Sequence, residues 1–180
     1  MRRTPLAVTL STIVMLLLCA PAYAGEHEMS GLRSELMGEL DQIEKKLVGL
    51  AEAIPAEKYD WRPAEGIRSV SETLMHVAGG NYYFLQPLGL EGPEGLDPRT
   101  LEKNVTEKDD VISELKRSFK YARKAVKSVG DDHLEDMVEV FGSDWTKRQV
   151  LLLYVTHGHE HLGQMIAYAR SNEVTPPWSS

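Results

Sequence analysis

The sequence predicts an all-α protein: a four-helix bundle with a long crossover between its second and third helices. Three observations carry that expectation. Leu36, Leu40, Ile43, Leu47 and Leu50 recur at spacings of four, three, four and three, one face of an α-helix. Ser69-Val70-Ser71-Glu72 and Thr146-Lys147-Arg148-Gln149 both read as capping boxes that open helices. Between the second and third helical patterns, Pro87–Val105 carries Gly89, Gly92, Pro93, Gly95 and Pro98, turn chemistry spread over a long connection.

In chain order, residues 1–24 read as a cleaved signal peptide and 25–180 as one domain. Arg2 and Arg3 form a basic start, Leu6–Cys19 an apolar stretch, and Ala22-Tyr23-Ala24 a small-x-small cleavage site. The apolar run is short for a membrane span, so an exported chain, periplasmic or secreted, with no membrane association after cleavage is expected. Leu18 before Cys19 suits lipid attachment poorly. Cys19 is the chain's one cysteine and leaves with the signal, so packing rather than disulfides must stabilise the domain. Loss of Arg2 and Arg3 takes the formal charge from −7 to about −9. Such an acidic surface argues against nucleic acid as a partner.

The first helix is expected over Met29–Ala53, stopped by Pro55, with Glu35, Glu39, Asp41 and Glu44 on its polar side. Tyr59–Gly66 is a connection with turns at Pro63 and Gly66. The second helix runs to about Leu85, with Glu72, Thr73, His76, Gly80 and Tyr83 on a shared face. Gly79-Gly80 costs helix propensity, about 1 kcal/mol per glycine against alanine, so close helix approach or space for a ligand must offset it. Thr106-Glu107-Lys108-Asp109 is expected to cap the third helix. Ile112, Leu115, Phe119, Ala122, Val126 and Val129 form its core face, and Gly130 its end. Its basic residues, Lys116 to Lys127, read as a solvated face. Met137–Phe141 reads as a short extended piece before a turn at Gly142-Ser143-Asp144, and His27 and His133 as solvent histidines. Val150–Arg170 is the fourth helix.

That last helix carries the chemistry. At about 100° per residue, His157 and His161 lie one turn apart on the face shared with Leu153 and Tyr154, with Gln164 following. His159, about 200° from His157, points the other way. A histidine pair at i, i+4 is common and by itself does not specify a metal. His76 on another apolar helix supplies a third ligand, and three neutral imidazoles with remaining positions open describe a catalytic-type site. Those ligands suit zinc, nickel, copper or iron.

Trp61-Arg62-Pro63, then His76, then His157-x-x-x-His161-x-Gly163-Gln164 resemble the DinB/YfiT-like superfamily over essentially all of the chain after the signal. The resemblance implies a bundle of up-down-down-up type, often a homodimer. It also implies a divalent metal, commonly nickel or zinc, on His76, His157 and His161. Some members are thiol-dependent transferases or isomerases using bacillithiol or mycothiol. Those thiols are cytoplasmic, whereas this chain carries an export signal.

The functional expectation is a metal-dependent enzyme, a hydrolase or thiol transferase, acting on a small-molecule substrate. Gln164 or Tyr83 would orient water or substrate, and Glu72 or Glu160 would act as acceptor or base. Each also has a plain role in packing or on the surface. The alternative is a non-catalytic metal- or ligand-binding module, and beyond it an oligomer-forming scaffold. A haem bundle lacks the Cys-x-x-Cys-His motif. The Pro87–Val105 loop is long by ordinary standards, and long loops are often functional or mobile.

Overall fold

A computed structural model describes residues 31–179. The expected signal segment 1–24, His27 and the expected helix start at Met29 lie outside the described residues. The described chain is mostly helical: α1 (Gly31–Ala53), α2 (Val70–Tyr83), α3 (Leu101–Asn104), α4 (Lys108–Ser128) and α5 (Lys147–Ser171). The four long helices close a ring in which α1 packs on α4, α4 on α2, α2 on α5 and α5 on α1. Leu40, Leu47, Leu50, Leu74, Met75, Leu115 and Leu151 fill its centre with no exposed surface. Each such aliphatic side chain is worth about 1.5–3 kcal/mol of burial. Among the described residues, no helix is long and apolar enough to cross a membrane.

Local chemistry explains where the helices start. Ser69 accepts from the Glu72 amide while the Glu72 carboxylate accepts from the Ser69 amide, and Thr146 and Gln149 repeat the arrangement at α5. Both expected capping boxes are therefore present. The third long helix differs from expectation at both ends. Its N-cap is Glu107, whose side chain makes no capping bond, and Thr106 stays outside the helix. Lys108 instead sends its ammonium to the carbonyls of Glu52 and Ile54, both at 2.8 Å, satisfying acceptors at the end of α1. At the far end Gly130 has φ −69°, so α4 stops without a left-handed glycine. Val111 and Ala125 are buried on the core face, and Ile112 only partly so.

The basic side of α4 is not simply solvated. Arg123 reaches Asp41 at 2.8 Å and also pairs with Glu44, while Lys116 meets Glu52 at 2.9 Å, so acidic α1 and basic α4 are stitched together. Arg33, which is buried, ties the start of α1 to Asp131 and to the Val129 carbonyl.

Two features lie outside an all-helical expectation. The crossover is not structureless: it holds 3₁₀ turns at Gln86–Leu88 and Pro98–Thr100 and the single turn of α3. Between α4 and α5 stands an antiparallel hairpin, β1 (Met137–Val140) and β2 (Ser143–Thr146), with Val140 opposite Ser143. The turn is therefore Phe141-Gly142, with φ +53° and +75°, and not Gly142–Asp144. Two left-handed residues in a two-residue connection match the twist of the flanking strands.

Candidate metal centre

The site lies where α2 meets α5. Both glycines of α2 are used for close approach. A Cβ on Gly80 would sit 2.6 Å from His157 Cε1, and one on Gly79 2.9 Å from the Pro98 carbonyl oxygen. Gly80 therefore makes room for the His157 ring, and Gly79 lets the crossover lie against α2. This supplies the offset that the helix-propensity cost requires.

On α5 the inward face carries Val150, Leu151, Tyr154, His157, His161, Met165 and Tyr168, all buried. Leu153 is only partly buried, so Leu151 takes the place expected for it. His76, half-buried on α2, faces this pair. One ligand atom from each of the three histidines lies within 4.8 Å of the other two. The His76 and His157 Nε2 atoms are 3.2 Å apart. His159 is turned outward and pairs with Glu39 at 3.0 Å, and exposed His133 pairs with Asp136 at 2.9 Å.

The surroundings favour the neutral form of His157 and His76. Desolvation pushes the His157 pKa down to about 3, with the facing His161 and His76 adding to the effect. Desolvation also lowers His76, although Glu102 opposes it. Burial pushes the Glu102 carboxyl up, but the Arg68 and His76 hydrogen bonds outweigh it and hold Glu102 below the usual carboxylate range. Glu102 is thus an ionised acceptor, and His76 donates to it from Nδ1 at 2.7 Å. His161 Nδ1 lies 2.8 Å from Gln164 Oε1. With Nδ1 protonated on both rings, their Nε2 lone pairs point away from these partners. His157 Nδ1 is buried with no hydrogen-bond partner. Neutral nitrogens, convergent and backed by oxygen acceptors, form a donor set that suits a divalent transition metal.

Beside the triad opens a cavity of about 290 Å³ lined by His76, Gly79, Gly80, Tyr83, Phe84, Pro98, Arg99 and Glu102. Phe84 meets the His157 ring edge-on at 4.9 Å. Exposed Tyr83 stacks on exposed Phe141 of the hairpin, centroids 6.2 Å apart. Of the polar residues named from the sequence, Gln164 touches His161 and Tyr83 lines the cavity. The Glu72 carboxylate is committed to the Ser69 amide, the main reason its pKa is lowered, and to Arg62. Glu160 is exposed on α5. Glu102 was not anticipated, because it sits in the segment read as a loop and meets His76 across 26 residues of sequence. Trp61 packs edge-on against Tyr168 at 5.3 Å, behind Gln164.

The fold and the sequence pattern are shared with known proteins. The DinB superfamily description matches residues 39–165. A DinB-like protein from Bacillus cereus ATCC 10987 superposes with a TM-score of 0.70 at 16% identity, over 80% of this chain and 95% of that one. A conserved protein from Enterococcus faecalis gives 0.63 at 17% identity, over 79% and 97%. An uncharacterised protein from Escherichia coli UTI89 gives 0.61 at 16% identity, over 79% and 95%. No curated protein matches the chain.

Proposed function

The chain belongs to the DinB superfamily, and on that premise we propose that His76, His157 and His161 hold one divalent ion, nickel or zinc, in an exported metal-dependent enzyme. Its substrate is a small molecule, and its reaction is hydrolysis or thiol transfer. The convergence of three ring nitrogens beside an open cavity carries this reading. When bound, such an ion supplies a Lewis acid to a coordinated oxygen or sulfur.

The chain's own residues do the rest. Glu102 and Gln164 fix the orientation of His76 and His161. Tyr83, Phe84 and Pro98 wall the cavity, bind the apolar part of a substrate and exclude water from it. Tyr83 brings the one hydroxyl among the residues lining the cavity, and it can donate to a substrate oxygen. Glu72, engaged in its cap, and Glu160, exposed, stand further from this role.

A non-catalytic metal-binding module is the competing reading, and one observation favours it. Glu102, the carboxylate in contact with His76, and Glu72, one turn before His76 on α2, are both held in ion pairs, which leaves neither idle as a base. Export draws support from the basic start, apolar stretch and cleavage site of residues 1–24. The up-down-down-up helix order and a homodimer belong to the same reading by family resemblance.

Elemental analysis of protein purified without chelator or metal-affinity tag tests the centre. About one nickel or zinc per chain is expected, lost in His76→Ala/His161→Ala and in His157→Ala and retained in His159→Ala. Equal losses in His157→Ala and His159→Ala, or no ion even after titration, would remove the metal centre. With the ion present, turnover of esters, amides or thiol adducts separates the enzyme from the binding module.

A further inference from the structure

Arg68, the residue before the Ser69 cap of α2, is connected to two of the three histidines by different parts of itself. Its guanidinium Nε donates to Glu102 Oε2 at 2.8 Å, and Glu102 Oε1 receives the Nδ1 hydrogen of His76 at 2.7 Å. Its backbone carbonyl accepts from the Tyr168 hydroxyl at 3.0 Å.

The second branch determines a proton position. A carbonyl oxygen only accepts, so the single Tyr168 proton is committed to Arg68. Towards Gln164 the phenol oxygen must then accept, and Gln164 Nε2 donates to it at 2.8 Å. That turns the other end of the amide, Oε1, to His161 Nδ1 at 2.8 Å. An amide oxygen cannot donate, so His161 carries its hydrogen on Nδ1 and its lone pair on Nε2. An amide turned the other way would select the opposite tautomer and leave the Arg68 carbonyl without the Tyr168 hydroxyl.

We propose that Arg68 is a positioning residue that presets His76 and His161, on two different helices, in the tautomer that leaves Nε2 free to bind a metal. Its side chain sets one through Glu102, and its main chain sets the other through Tyr168 and Gln164. His157 lies outside the device. Its Nδ1 has no partner, and its Nε2 lies 3.2 Å from His76 Nε2. Since His76 Nε2 is bare, that contact is a hydrogen bond only when His157 Nε2 carries the proton. In the metal-free chain, His157 is therefore the opposite tautomer from its two neighbours.

The proposal rests on reading the triad as a metal centre, and the test separates the two. Imidazole hydrogen–nitrogen correlation spectra of the ¹⁵N-labelled, metal-free protein at neutral pH report each tautomer, assigned through single-histidine variants. Expected are Nδ1–H for His76 and His161 and Nε2–H for His157. Tyr168→Phe should mix the His161 tautomers and leave His76 alone. Arg68→Ala keeps the carbonyl, so it should loosen His76 and leave His161 alone.

Zinc affinity, measured by competition with a chromophoric chelator, should fall about 10-fold in each variant, at the low end for loss of an outer-sphere partner. Gln164→Leu should behave like Tyr168→Phe. Gln164→Glu, which still offers an acceptor to Nδ1, should recover affinity, a rescue that a purely structural role would not give. His161 found as Nε2–H in the parent, or unchanged spectra and zinc affinity in Tyr168→Phe, would overturn the proposal. Parent protein with the expected tautomers but no uptake of zinc or nickel would remove the metal centre and leave the hydrogen-bond chain in place.

Discussion

Between α1 and α4 the bundle buries Leu40, Ile43 and Leu47 with Leu115 and Phe119, and sews the outer edge with Arg123 on Asp41 and Glu44. Between α2 and α5 it gives up that economy. Two glycines stand where alanine would favour the helix, three imidazoles are brought together, and one of their nitrogens is buried without a partner. An orphaned buried polar group costs about 1–3 kcal/mol. Both pairs of helices bury core side chains, but the second gives up part of its packing to a site.

Substitutions of matched kind should have unequal effects on the two sides. The largest is expected at Phe119, fully buried on α4, where Phe119→Ala should cost about 3–5 kcal/mol in urea unfolding. It should leave the stoichiometry of bound metal in the folded protein unchanged. Loss of metal at conditions where the variant remains folded would show that the two sides are not separable.

Next comes a pair of glycines. Gly80→Ala should destabilise by about 1–3 kcal/mol, because the new Cβ meets the His157 ring. Gly38→Ala, on an exposed part of α1 with open space around it, should stabilise by about 1 kcal/mol. Effects of the same sign at both positions would break the contrast.

The third expectation concerns pH. The folded pKa of His157, about 3, lies below the usual value of 6.5. Below pH 6.5 the unfolded chain therefore binds a proton that the folded chain refuses. Stability from this residue is present above pH 6.5 and falls as pH drops towards 3, at up to about 1.4 kcal/mol per unit. Urea midpoints of metal-free protein from pH 7 to 5 should show a shallower fall in His157→Leu than in the parent. Equal slopes would place the His157 proton affinity back near its ordinary value.

How much of this was legible followed from how local the signals were. The α4 periodicity, the capping residues Ser69, Glu72, Thr146 and Gln149, and the His157–His161 spacing are contained within a few residues, and each reads directly. The role of Glu102 is not local: it depends on a crossover segment folding back against α2, with Gly79 allowing the contact. The Arg68–Tyr168 bond joins residues 100 apart, and nothing in either neighbourhood announces it. The first strand falls in the stretch that reads as extended, whereas the second, Ser143–Thr146, reads as turn and helix cap because its four residues are mostly polar and none is buried. Phe141 at φ +53° is a poor guide to a turn, since Asn or Gly usually marks that conformation.

The separation of 81 positions between His76 and His157 gives the site a place in the life of the chain. The segments of α1, α2 and α4 are synthesised before the last long helix, and until it is made only one of the three clustered histidines is present. A chain that stalls or is clipped ahead of residue 157 keeps only His76 of the three clustered histidines. The three ring nitrogens can therefore come together only once the last long helix has been made.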